Sequence, residues 1–107
     1  MSAAKDQSLA DLVRLFDALS DKTRLHIAFM LAKDDRNVTS LCEELKLKQP
    51  TVSHHLGLLR MNGVVVTKRN GKQVIYSLAE NIKVSGGKIK ISLGSAIVTV
   101  EAGGRQV

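Results

Sequence analysis

The apolar period of this chain changes at Gly63, and that change constrains the fold more than any bulk property does. Up to Asn62 the apolar residues recur at intervals of three and four, the spacing of helices that bury one stripe. From Val64 onward apolar and polar residues tend to alternate, as in strands that bury one face. The expected fold class is therefore mainly α with β, helices first. The first two β-prone runs, Val64 to Arg69 and Gln73 to Leu78, flank Asn70-Gly71, a strong hairpin signal because both residues tolerate positive φ.

Four helices are predicted ahead of that hairpin. Leu9, Leu12, Val13, Phe16 and Leu19 mark a first helix over 8–19. Ser20 is placed as the cap of a second over 21–32, which carries Leu25, Ala28, Phe29 and Ala32 inward with Ile27 and Leu31 at its flanks. A third, over 39–45, is followed by a tight connection at Lys46-Leu47-Lys48. The fourth, over 49–62, opens on Pro50, whose missing N–H costs nothing in a first turn, and stops at Gly63. Two short helices so joined form a helix-turn-helix, whose second helix enters a DNA major groove.

Helical geometry assigns the faces of that fourth helix. Val52, Leu56 and Leu59 share the core stripe, while Pro50, His54, Gly57 and Met61 lie opposite, flanked by Thr51 and Ser53. Hydroxyls and an imidazole so placed can bond phosphates or base edges. Gly57 permits close approach to a sugar-phosphate wall, a reason for accepting its cost of about 1 kcal/mol against alanine in a helix. His55 lies nearer the core stripe, which makes His54 the better base reader.

Charge is distributed to match. From Lys46 to Tyr76 there are six basic residues (Lys46, Lys48, Arg60, Lys68, Arg69 and Lys72) and no Asp or Glu, a local excess equal to the whole chain's net +6. Such a patch attracts phosphates in a salt-dependent, sequence-independent way. Lys68, Arg69 and Lys72 crowd the hairpin tip, as in a wing that lies along the DNA backbone or minor groove. A membrane surface would also attract the charge, but no basic amphipathic helix with bulky apolar anchors accompanies it.

Three blocks carry a family resemblance: Phe16 to Leu25, Gln49-Pro50-Thr51-Val52-Ser53-His54-His55-Leu56-Gly57-Leu58-Leu59-Arg60, and Gly63 to Arg69 with Tyr76-Ser77-Leu78. Together they resemble the ArsR/SmtB winged-helix repressors over roughly Leu9 to Leu78. The resemblance implies a homodimeric prokaryotic transcription factor that binds an inverted-repeat operator and leaves it when an inducer arrives. It also implies that Gln49, Thr51, Ser53, His54 and His55 lie on the operator-reading helix, with Arg60 and the wing bases assisting; Lys48 is added as the base at its start. Members that bind thiophilic metals carry a Cys-x-Cys pair where this chain has Asn37 and Thr39, neither of which can act as a thiolate. Other members place zinc on a last helix rich in Asp and His, whereas here the segment after the wing has neither.

That segment instead alternates in Ile82-Lys83-Val84, Lys88 to Leu93 and Ala96 to Glu101, separated by Ser85-Gly86-Gly87 and Gly94-Ser95. It reads as an atypical β extension in place of the usual last helix. A stabilising hairpin, pairing with a partner's edge, extension of the wing sheet and covering a ligand pocket are all open roles. Gly103 to Val107 reads as a frayed tail. The expected organisation is a winged helix-turn-helix domain over 1–79, its wing over 64–78, and a β-rich extension over 80–107.

No cofactor or metal is expected. Cys42, the single cysteine, reads as a small buried hydrophobe, with a redox switch across a dimer as the alternative. One thiol cannot build a soft-metal site of about four ligands, and adjacent His54 and His55 diverge by about 100°, the wrong geometry for one ion. His26 reads as a packed or half-exposed helix residue. Leu9 to Leu31 is punctuated by charges, so neither a signal peptide nor a membrane span is expected, and the location read is cytoplasmic, on the nucleoid. The predicted partners are double-stranded operator DNA and a second copy, joined through the first helix at Val13 and Phe16 and through the C-terminal strands. A protein-interaction module is the alternative function; an enzyme is disfavoured because no acid–base pair or Cys/His couple is placed by spacing.

Overall fold

The computed structural model describes residues 3–94 and 96–101. In chain order the elements are α1 (Ala3–Leu19), α2 (Lys22–Lys33), α3 (Val38–Leu45), α4 (Gln49–Met61), β1 (Val65–Asn70), β2 (Gln73–Leu78), β3 (Ile82–Ser85), β4 (Lys88–Leu93) and β5 (Ala96–Glu101). Ser95 and the expected tail, Gly103 to Val107, lie outside the described residues. No described helix is long and apolar enough to cross a membrane.

Helix α1 begins at Ala3, earlier than Ser8. Its first turns are written in helix formers without an apolar stripe, so periodicity alone does not reveal them. The buried side is Leu15, Ala18 and Leu19, while Leu9, Val13 and Phe16, spaced at four and three, form an exposed apolar stripe.

The cap of α2 is Asp21, not Ser20: the Asp21 carboxylate accepts the Arg24 N–H at 3.0 Å. Ser20 instead closes α1, its Oγ donating to the Asp17 carbonyl at 2.7 Å. Ala28 is buried as expected, together with Ile27, Met30 and Leu31, whereas the predicted Leu25, Phe29 and Ala32 are only half-buried, Leu25 and Phe29 packing at the margin of the core, so the inward face is rotated from the predicted one. The helix packs on α1, α4, β2 and β3 together, and an element surrounded in this way has no single apolar stripe to read.

Asn37 caps α3 through its side chain, accepting from the Ser40 N–H at 2.9 Å. The connection to α4 turns at Lys46, which adopts the left-handed conformation at φ 57°. Helix α4 has Pro50 in its first turn and buries Val52, Leu56 and Leu59. Gly63, at φ 79°, releases the chain into the wing.

Strands β1 and β2 pair antiparallel from Val65↔Leu78 to Asn70↔Gln73. Asn70 is therefore the last strand residue, and the loop is Gly71-Lys72 rather than Asn70-Gly71. Only Gly71 takes positive φ, 66°, the arrangement of a type II′ turn with glycine first. Arg36 bridges to Tyr76 through two backbone hydrogen bonds of 3.1 and 2.7 Å, giving the wing a one-residue third strand.

After the wing, β3, β4 and β5 form a separate antiparallel sheet with β4 central. It does not extend the wing sheet. Strand β4 packs on α1 and β3 on α2, and Ile82, Ile89 and Ile91 join one core with Leu15, Ile27, Leu41, Leu56, Val64 and their neighbours. Strand β5 is an edge of that sheet, unpaired on its outer side among the described residues, with Ile97 and Val100 exposed.

Candidate nucleic-acid interface

The stripe that seats α4 in the core fixes what its other side presents. With Val52, Leu56 and Leu59 buried, Gln49, Thr51, Ser53 and His54 are exposed over the first turn and a half, and Gly57, Arg60 and Met61 continue the outer surface. Lys48 occupies the N-cap position and forms no side-chain cap bond. It adds a cation beside the positive end of the helix dipole, which favours anions. Gly57 is open: a Cβ built there meets nothing within 4 Å. No crowding within the chain accounts for glycine at that position.

The wing supplies the flanking charge. Arg69 and Lys72 are exposed at its tip and form no ion pair among the described residues. Lys68 is different, because its Nζ lies 3.4 Å from Asp35 Oδ2, so part of its charge is spent within the molecule. Asp35 comes from the turn after α2, outside the acid-free stretch that the sequence marks, which is why spacing could not reveal this pair.

His55 is turned away from the others. Its side chain is 16 % exposed and faces α2, with Nδ1 3.3 Å from Arg24 Nη1 and 3.8 Å from Asp21 Oδ2. The Arg24 guanidinium also donates from Nε to the Ala18 carbonyl in the last turn of α1 at 2.7 Å. The Arg24 backbone N–H, and then the charges of Arg24 and His55, hold the Asp21 carboxyl below its ordinary value. The sequence offers no signal for this cluster, since Arg24 and His55 stand 31 residues apart.

Arg36 is a second basic residue committed to the scaffold. Its guanidinium binds Glu44 Oε1 at 2.6 Å, Asp34 Oδ1 at 3.0 Å and Ser40 Oγ at 3.4 Å, and its two acids hold it above its ordinary value, Glu44 first. It thereby ties α3 to the wing through the Tyr76 bridge rather than facing outward.

The other candidates sit apart from this surface. Cys42 is half-buried and packs against the core from α3. Asn37 is engaged as a helix cap, Thr39 is exposed, and His26 is exposed on α2. His54 and His55 have ring centroids 5.7 Å apart at 60°, and no group of three or more His, Cys, Asp or Glu positioned for a metal occurs among the described residues. What the surface assembles is a helix face of short hydrogen-bonding groups beside a basic hairpin, the chemistry of groove and phosphate contact.

Comparison with known proteins agrees with this architecture. Residues 21–67 match the model of "Bacterial regulatory protein, arsR family". The arsenical resistance operon repressor of Escherichia coli (strain K12) is 38% identical over 78 residues, covering 72% of this chain and 67% of that protein. Reduced HlyU from Vibrio cholerae N16961 superposes with a TM-score of 0.65 at 33% identity, over 71% of this chain and 80% of that one. The homodimeric winged helix-turn-helix DNA-binding domain of a possible ArsR-family transcriptional regulator from Mycobacterium bovis gives 0.68 at 29% identity, over 74% and 73%.

Proposed function

The chain belongs to the ArsR family of bacterial regulatory proteins, DNA-binding regulators rather than enzymes, and from that premise we propose that it is a repressor reading an inverted-repeat operator as a homodimer. The observation that carries this reading is the coincidence of two features: an exposed α4 face and a basic wing tip whose Arg69 and Lys72 form no ion pair among the described residues. Thr51, Ser53 and His54 contact the major-groove edge and its walls; Lys48, Gln49 and Arg60 hold the adjacent backbone; Arg69 and Lys72, with Lys68 in part, hold phosphates or the minor groove.

The second copy docks on the apolar stripe of α1, Leu9, Val13 and Phe16, which this subunit leaves uncovered, and the free edge of β5 extends that surface. Release follows from a ligand that prefers a dimer whose two α4 helices no longer match successive major grooves about 34 Å apart. The work is done in the cytoplasm, on the nucleoid.

The test is fluorescence anisotropy on DNA upstream of the chain's own gene against a scrambled duplex, at two salt concentrations. A preference of about a thousandfold with a steep salt slope supports the reading; equal, weak binding to both duplexes and to a duplex selected from a random pool overturns it. Within that assay His54→Ala is expected to lower operator preference by about 1–3 kcal/mol, while Lys72→Ala weakens all duplexes alike and flattens the salt slope. Equal losses on operator and random DNA for His54→Ala would remove His54 from base reading.

A further inference from the structure

The last carbonyls of a helix have no partner within it, and two of those of α1 are closed by residues beyond its end. Asp17 is closed by Ser20, but the Ala18 carbonyl is closed by a side chain of the next helix, Arg24, whose Nε lies 2.7 Å away. The same planar guanidinium faces His55 on α4, with Nη1 3.3 Å from Nδ1. Arginine has donors only, so this contact is a hydrogen bond when His55 Nδ1 is the acceptor and the ring proton is on Nε2. The Asp21 carboxylate, which caps α2, lies 3.8 Å from the same nitrogen. Three helices thus meet on one side chain.

The position of this knot gives it consequences. Its α1 end lies two residues beyond Phe16, on the helix that carries the uncovered apolar stripe. Its α4 end is His55, the next residue after His54. Apolar packing through Val52, Leu56 and Leu59 holds α4 against the core but is non-directional, whereas a hydrogen bond through a rigid fork constrains rotation of the helix about its own axis. We propose that Arg24 is a positioning residue for DNA reading: acting through His55, it sets the rotation of α4 relative to α1 and so the angle at which Thr51, Ser53 and His54 meet the groove. The inference rests on the DNA-reading function proposed above and adds to it the device that links the subunit-contact helix to the reading helix.

The test is a double-substitution cycle, read by anisotropy on a duplex enriched from a random pool by the unaltered protein and on a scrambled duplex, with melting temperature recorded for each variant. Arg24→Met and His55→Leu are each expected to reduce the preference for the selected duplex on the order of tenfold, leaving scrambled-DNA affinity nearly unchanged. The double variant is expected to lose no more than Arg24→Met alone, since both changes break one connection. His55→Asn, which keeps an acceptor close to the position of Nδ1, is expected to restore most of the preference that His55→Leu loses. Losses that add to about a hundredfold, or a folded Arg24→Met with full preference, overturn the proposal. Should Arg24→Met fail to fold, the contrast between His55→Leu and His55→Asn decides alone, equal preference in the two counting against it. Failure of the unaltered protein to enrich any duplex would instead overturn the DNA-reading function itself, so the two failures are distinct.

Discussion

Gly57 is the residue at which stability and function should part most clearly. It lies within α4, where glycine costs about 1 kcal/mol relative to alanine, and the space its side chain would fill is empty. Gly57→Ala is expected to raise the stability of the fold by up to about 1 kcal/mol and to weaken operator binding, because the added methyl stands on the exposed face of α4 proposed to meet the groove. Thermal melts and anisotropy on one preparation check both halves; a variant that is stabilised yet binds undiminished removes Gly57 from the interface. Asp21 provides the pH-sensitive counterpart. Its pKa is held below the ordinary 3.8, so the stability it contributes is complete above that value and is lost as the pH falls through the lower native one. Asp21→Asn keeps a capping oxygen but cannot titrate. The unaltered protein should therefore lose melting temperature more steeply than Asp21→Asn once the pH drops below 3.8, and parallel curves would dissociate the carboxylate from the cap. At this scale the sequence revealed what angular position decides, such as the exposure of Thr51, Ser53 and His54. It did not reveal Arg24–His55, Lys68–Asp35 or Arg36–Glu44, since each partner comes from a different element and no local pattern encodes the meeting.

Elements differ in legibility for a related reason. Helix α4 and strands β3 and β4 each bury one face, so their periods are clean and their positions could be read directly. Helix α2 is covered on several sides, and its inward residues, Ile27, Met30 and Leu31, could not be separated from its flanks. The wing turn was displaced by one residue because Asn70 and Gly71 both accept positive φ, and only cross-strand register, Asn70 opposite Gln73, decides which of them turns. The connection between α3 and α4 shows what such a turn costs. Lys46 is the only non-glycine residue with positive φ among those described, in a conformation that costs an L-residue about 1–2 kcal/mol. Lys46→Gly relieves that strain but enlarges the freedom of the unfolded chain by about 0.5–1 kcal/mol, so a net gain of up to about 1 kcal/mol is expected in urea unfolding. A loss of stability would mean that the Lys46 side chain supports the turn more than its backbone strains it.

For the whole molecule, the decisive quantity is the number of reading helices held in register. One subunit, with extents of 44 × 39 × 20 Å, presents a single α4, whose 13 residues span about 20 Å, a length that fits one major groove. In the dimer proposed above, two-fold repetition across the α1 stripe would supply the second helix and double the phosphates neutralised. Val13 is 65% exposed and lies between Leu9 and Phe16, so Val13→Glu places a charge in the middle of the proposed contact without disturbing the core. The variant is expected to sediment as a folded monomer where the unaltered protein sediments as a dimer. It should also bind with about half the slope of log affinity against log salt, because that slope counts the phosphates contacted. The slope separates two causes of weak binding that a single affinity merges: loss of a whole half-site lowers it by half, whereas a misaligned but intact dimer keeps most of its phosphate contacts and most of its slope. A Val13→Glu protein that remains dimeric would move the contact away from α1 and leave the free edge of β5 as the surface to alter next.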